Sequence, residues 1–320
     1  MGRGDSVHMR PGPPGVAVLG RSAATTDLTR WAHAPPAESP TRQALRRLRR
    51  SRTALLGLVI VVVLVLVAVA ADVLAPQSPI VSDHTRTFES PSRTHPFGTD
   101  QLGRDMLSRV VHGSRISLAV GVSSVLLALF VGVPLGMIAG FYGGRIDTLV
   151  MRAMDLILAF PIYLLAIILM VIFTPTAGLL GTIKVVGAIA IVRVPIYARL
   201  VRGSVLAIKQ QEYVEAGRAL GLGGPRILLR HVLPNSVAPI IVTTTLGIAT
   251  AIIVEATLSF LGLGTQPPTP SWGWDLKANV AFIQANPWLT LFPGAAIFVT
   301  VLGFNLFGDG LRDALDPRLK

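Results

Sequence analysis

Residues Ala54–Ala71 read ALLGLVIVVVLVLVAVAA, eighteen positions without a charge. As a helix rising about 1.5 Å per residue the run is roughly 27 Å long, close to the hydrocarbon thickness of a bilayer. Polar and apolar positions do not alternate in it, so a barrel strand is excluded and the backbone must satisfy itself within a helix. A secretory signal is the competing reading, because Ala68-Val69-Ala70 looks like a cleavage site. A signal's apolar region is about 7–15 residues behind a short basic flank, whereas some 50 residues precede this run. The run is therefore expected to remain as a first membrane span.

Further charge-free stretches follow. Ile116–Gly144 has 29 residues, Leu156–Ile183 has 28 and Ala278–Gly308 has 31. Val185–Val205 is apolar but interrupted by Arg193, Arg199 and Arg202, and Val237–Leu261 is interrupted by Glu255. Six helices are expected, near 53–75, 115–142, 149–173, 184–204, 236–261 and 288–308. The fold class is thus an all-α, polytopic membrane bundle. Composition agrees: of 320 residues 51% are apolar and only 14% charged, against about 25% charged in a typical soluble domain. Cysteine is absent, which excludes disulfides, thiolate metal sites and cysteine nucleophiles.

The net charge of +12 is unevenly spread: residues 1–52 hold ten Arg against Asp5, Asp27 and Glu38. A nucleic-acid arm is disfavoured, because the Arg42–Arg52 cluster has no interleaved aromatics and runs straight into the first span. A cytoplasmic flank that orients the chain and touches anionic lipid fits better. With both termini inside, the inner connections carry 17 Lys and Arg and the outer ones six. Residues 1–40, with six Pro, five Gly and no hydrophobic period, read as a disordered tail. The organisation expected is a tail at 1–40, a basic flank and first span at 41–75, and an outer loop at 76–112. A five-span core at 113–308 then carries a polar segment at 205–235, before a cytoplasmic tail at 309–320.

Smaller features are read locally. Gly132, Gly136 and Gly140 share one face of the second helix and let backbones approach, either within the bundle or at a subunit interface. Thr99–Arg109 is expected as a surface-lying amphipathic element capped by Thr99 or Asp100. Trp272 and Trp274 suit the headgroup level, and Asp155 is expected to pair locally with Arg152.

The 205–235 segment is the polar stretch that matters. Its signals define two short helices: Gly221 ends the first, Gly223 and Gly224 turn the chain, Pro225 opens the second and Pro234 stops it. Tyr213, Ala216 and Leu220 share one face of the first helix. Ile227, Leu228 and Val232 oppose Arg226, Arg230 and His231 on the second. An amphipathic helix–turn–helix outside the membrane is built to dock on something.

This segment resembles the EAA loop of ABC importer permeases. Glu215-Ala216, Gly221 and Leu233-Pro234 stand at the family's spacing, with Gly217 where alanine is usual. Glu212, Tyr213 and the Arg230-His231 pair look like the peptide/nickel branch. Other stretches are similar to the C-type permease of dipeptide and oligopeptide importers. They include His95-Pro-Phe-Gly-Thr-Asp100, Tyr197-Ala-Arg199, Glu255-Ala-Thr-Leu-Ser259 and Trp272-Gly273. The likeness covers about residues 41–320.

The resemblance implies a six-span permease of the type I importer kind in the plasma (inner) membrane. It implies that 205–235 docks on a separate ATPase, with Glu212, Tyr213, Glu215, Ala216, Gly217 and Arg218 on its first helix. Leu220, Gly221, Pro225, Arg230, His231 and Pro234 complete that coupling set. The implied partners are a paralogous permease in a heterodimer, two cytoplasmic ABC ATPases and an extracytoplasmic solute-binding protein. ATP would be used by those partners, and no cofactor or metal would be bound by this chain. Di- or oligopeptides are the expected cargo, with nickel or another small solute as the alternative.

Two charges inside spans are candidate pathway residues. An Arg near a helix centre costs about 2.5–3.5 kcal/mol on insertion scales, so Arg193 must face protein or water. It either lines the substrate path, where it would attract a peptide carboxylate, or snorkels or pairs with an acid. Glu255 either lines the path or serves a structural partner. No Gly-x-x-x-x-Gly-Lys-Ser/Thr, His-Glu-x-x-His or Gly-x-Ser-x-Gly occurs, so no catalytic residue is assigned. A secondary transporter without an ATPase remains the different-class alternative; it predicts inverted repeats, and the 205–235 pattern is not repeated.

Overall fold

Ser51 caps the first span: the Ala54 N–H donates to Ser51 Oγ at 3.3 Å, which satisfies one of the orphan donors of a helix start. The computed structural model describes Gly2, residues 40–75 and residues 77–315. The expectations for residues 1–40 (Gly2 and Pro40 apart) and 316–320 lie outside these. The described chain is helical: α1 Pro40–Arg50, α2 Arg52–Val69, α3 Ala71–Leu74, α4 Met106–Tyr142, α5 Gly144–Leu158, α6 Ile162–Phe173 and α7 Gly178–Lys209. There follow α8 Glu212–Ala219, α9 Gly224–Ile227, a π turn Leu228–Val232, α10 Leu233–Phe260, α11 Trp272–Asn279, a 3₁₀ turn Val280–Phe282 and α12 Trp288–Leu315. Among the described residues five helices are long and apolar enough to cross a membrane, or six when the bent pair α5 and α6 is one span. Residues Ala44–Lys320 form one unit, and Met1–Gln43 another.

Small residues decide which face of each span turns inward. On α2 only Ala54, Gly57 and Ala68 are buried, while its valines and leucines are largely exposed. Gly57 lies so close to α12 that a Cβ would stand 2.4 Å from the Phe307 nitrogen, and one on Gly310 would stand 2.2 Å from Ala54 Cβ. Lipid tails are as apolar as leucine, so close backbone packing rather than hydrophobicity holds such a pair together. The glycine stripe of α4 works the same way against α7. A Cβ on Gly132 would stand 2.7 Å from Val194 O, and one on Gly140 2.8 Å from Val205 Cβ. The stripe therefore packs within the chain.

Several boundaries differ from the sequence expectation. The second span begins at Met106, not near 115, because Asp105 is its N-cap: its Oδ2 accepts from the Ser108 N–H at 2.7 Å. No separate surface element exists at 99–109; Asp100 instead holds Arg104, whose Nε donates to Oδ2 at 2.7 Å. The third span is not one helix over 149–173. The α5 and α6 axes meet at 91°, because Pro161 lacks an N–H and drives Phe160 out of the helical region. Asp155 pairs with Arg199 of α7 rather than with Arg152, and Asp147 accepts from Arg202 Nε and Nη2 at 2.5 and 2.6 Å. Two interhelical ion pairs thus clip α5 to α7. The last helix runs on to Leu315, so Asp309–Leu315 continues it.

Candidate coupling segment and buried polar sites

The 205–235 segment is anchored from below and open above. Lys209 closes α7 by donating to Phe141 O at 2.8 Å, with its ammonium 5.9 Å from the Phe141 ring centre. Val214, Ile227, Leu228 and Val232 are buried in one cluster with Val133 and Val205. Gly217, where the family usually has alanine, is buried over Leu222: a Cβ would meet Leu222 Cδ1 at 3.0 Å. The opposite side is exposed. It carries Glu212, Tyr213, Glu215 and Ala216 on α8, then Leu220, Gly221, Pro225 and Arg230. Leu220 is 84% exposed. His231 is half-buried, 6.1 Å from the Tyr213 ring, and Asn235 Nδ2 donates to His231 O at 2.6 Å and to Tyr213 Oη at 3.4 Å. The side chain of Arg218 lies outside the described residues.

Gly221 takes φ +82, and a Cβ there would meet nothing within 4 Å. Its glycine is needed for conformation and not for space. Pro234 does not stop the second helix, contrary to expectation. The π turn Leu228–Val232 widens the ladder just before it, and Gly224–Phe260 runs as a single 37-residue helix. The wider turn, with the Leu233 N–H bonded to Leu228 O, comes just before the proline that has no N–H to give. The exposed knob is therefore the first turns of the fifth span itself, joined to α8 by the Gly221 turn.

Inside the bundle, Arg193 and Glu255 are both buried, at 5% and 0% exposure, and they differ in what surrounds them. Glu255 accepts from Ser117 Oγ at 3.2 Å and Ser259 Oγ at 2.7 Å, which ties α10 to α4. Arg193 has no carboxylate within 4.0 Å among the described residues, and its Nε is unpartnered. Tyr197 Oη and Thr244 Oγ1, beside it, are buried without a hydrogen bond of good geometry. Sequence reading did not select Tyr197 or Thr244 as site residues. The i, i+4 spacing from Arg193 to Tyr197 was a signal for the first; Thr244 comes from another helix.

At the other end of the bundle Trp272 of α11 packs in the protein core and does not face headgroups. Trp272 is 1% exposed; its Nε1 donates to Val110 O at 2.8 Å, and its ring fills the space beside Gly113. Trp274 is half-buried, with Lys277 Nζ 4.7 Å from its ring centre. Arg109 Nε and Nη2 reach Asp275 Oδ1 at 2.7 and 2.5 Å. Burial pushes the Asp275 carboxyl above the usual range, against the pull of Arg109. His95, also buried, shares a 3.0 Å hydrogen bond through Nδ1 with Asp105 Oδ1. No group of three or more His, Asp and Glu able to hold a metal occurs among the described residues.

Apolar spans joined by a capped, outward-facing knob that continues into one of them fit the architecture of an ABC importer permease, and similarity to known proteins shows that class. The solved MetNI methionine ABC transporter, in inward-facing conformations, shares this fold with a TM-score of 0.54 at 18% identity, over 66% of this chain and 98% of that one. The chain belongs to the family of binding-protein-dependent transport system inner membrane components, whose model matches residues 132–320. A second model, the N-terminal TM domain of oligopeptide transport permease C, matches residues 39–91. The dipeptide transport system permease protein DppC of Alkalihalophilus pseudofirmus is 46% identical over 90% of this chain and 95% of its own length. The glutathione transport system permease protein GsiD of Pectobacterium atrosepticum is 45% identical over 88% and 92%. The di/tripeptide transport system permease protein DppC of Pseudomonas aeruginosa is 43% identical over 88% and 93%.

Proposed function

We propose that this chain is one half of the translocation pathway of an ATP-driven peptide importer, with both termini cytoplasmic. It pairs with a paralogous permease, receives di- or oligopeptides from an extracytoplasmic binding protein, and couples through 205–235 to a separate ATPase that uses the ATP. The observation that carries the reading is the two-sidedness of that segment. Val214, Ile227 and Val232 lock it onto the bundle, while Tyr213, Leu220 and Pro225 stand exposed. An 84% exposed leucine on a polar segment is well placed to be covered by a partner. Because Pro225 and Arg230 stand on the first turns of the fifth span, a push there acts on a membrane helix directly, and one on α8 reaches it through the Gly221 turn. The peptide names of the relatives support the cargo class.

The test is co-purification from membranes. The tagged chain should bring an ABC ATPase with it, and Leu220→Asp should lose the ATPase while the protein still inserts and purifies with its paralogous permease. Recovery of the chain without any ATPase would sink the reading and favour a secondary transporter.

A further inference from the structure

Several charged groups in or beside the spans have a partner among the described residues. Asp147 has Arg202, Asp155 has Arg199 and Asp72 has Arg115. Glu255 has two serine hydroxyls, and Lys184 donates to Thr174 O at 3.1 Å. Arg193 is buried without an acid among the described residues. An arginine does not shed its proton, and a buried cation without a counter-charge is strongly unfavourable.

The surroundings are built for an anion. Tyr197 follows Arg193 by one turn of α7, and Thr244 faces it from α10; both hydroxyl oxygens are buried without a hydrogen bond of good geometry, though they lie near each other and near the guanidinium. Gly247, one turn on from Thr244, lets the two polar groups lie against the α10 backbone, since a Cβ there would stand 2.9 Å from both Arg193 Nη2 and Tyr197 Oη. Three donors on two helices therefore converge with no carboxylate among the described residues to balance the cation. A carboxylate supplies what is missing: two oxygens for the guanidinium fork, with lone pairs left for two hydroxyl donors.

We infer that Arg193, Tyr197 and Thr244 form a subsite for the C-terminal carboxylate of the peptide in transit, an inference that rests on the importer reading above. The described walls are α4, α7 and α10, with Val125 beside Gly247. The subsite is covered in the arrangement described. Pro195, inside α7 and two residues past Arg193, breaks the hydrogen-bond ladder at this level and marks where that helix can flex. Occupancy is thus confined to the conformation in which α7 and α10 part, as a pathway that alternates its opening requires.

The test uses the assembled importer in proteoliposomes with its binding protein saturated by either a free-acid dipeptide or the same dipeptide amidated at its C-terminus. Wild type should import the free acid about tenfold faster or more, the effect of one charge-assisted interaction. Arg193→Gln should lower free-acid uptake to the amide rate, and Arg193→Lys should restore part of the difference. Tyr197→Phe and Thr244→Val should narrow it about threefold each, a partial loss of the same kind, which keeps the test open where Arg193→Gln does not assemble. An unchanged free-acid preference in an assembled Arg193→Gln complex would overturn the subsite. So would an equal loss of both cargoes, which would assign the carboxylate to the paralogous subunit. A wild-type complex that imports neither peptide, or holds no ATPase, overturns the importer reading itself.

Discussion

Gly136 of α4 lies against Ala198 of α7 so closely that a Cβ would stand 2.3 Å from the Ala198 carbonyl oxygen. The neighbour is backbone and has no rotamer to change, so a side chain at 136 must push the two helices apart. Gly136→Leu is expected to lose about 1–3 kcal/mol or more of stability through overpacking. Thermal unfolding of the detergent-purified protein should show it, and an unchanged midpoint would mean that this helix pair is not tightly docked.

Gly221 is unlike Gly136, since space is free around it and only its φ of +82 requires glycine. Gly221→Val should strain the turn by about 1–2 kcal/mol and re-aim α8. The protein should still insert and fold, with peptide uptake lost and ATP hydrolysis no longer linked to it. Normal transport by this variant refutes the coupling role.

Arg115 ties the end of α2 to α4: it donates to Ala68 O at 2.6 Å and to both oxygens of Asp72 at 2.9 Å. The hydrogen bonds from Arg115, and next those from His112, hold the Asp72 carboxyl below its ordinary range. A carboxyl depressed by folding contributes stability above its unfolded pKa of about 3.9, and loses it as pH falls through the lower folded value. The difference in melting temperature between wild type and Asp72→Asn should therefore be present at neutral pH and close below about pH 3.9. A difference that persists in acid points to something other than this ion pair.

The buried Arg109–Asp275 pair and the exposed Arg199–Asp155 pair should respond oppositely to mutation. Asp275→Asn leaves an uncompensated buried charge and should cost about 3–5 kcal/mol, much of which the double variant Arg109→Met with Asp275→Leu recovers. Asp155→Asn should cost no more than about 1 kcal/mol. Equal losses in chemical denaturation would contradict the burial on which this contrast rests.

Orientation can be read with introduced thiols, because the chain has no Cys of its own. His95 is buried, but Arg93 two residues earlier is exposed, as is Pro225. Cysteines at 93 and 225 should label from opposite sides of the membrane. Labelling from the same side would overturn the two-sided arrangement.

The sequence alone determined the class of the molecule. Charge-free runs of helix length leave no other way to satisfy a backbone in lipid, and the Gly221 turn with Pro225 announced a capped segment outside the spans. Helix ends were legible only where the cap is the residue nearest the apolar run. At the second span the polar turns Met106–Arg109 hid the true cap, Asp105. At the third, Pro161 bends a stretch whose hydropathy reads straight through it.

Only the tertiary structure decided partners. Sequence spacing offered Arg152 to Asp155, but packing brought Arg199. It placed Trp272 at an interface, but Gly113 made room for it in the core. Depth in the span distinguishes Arg193 from Arg199 and Arg202 in the sequence, but not its lack of a partner: no acid was carried to it by a neighbouring helix. Whether a charge is paired depends on which helix faces it, and facing is set by where the glycines let backbones meet.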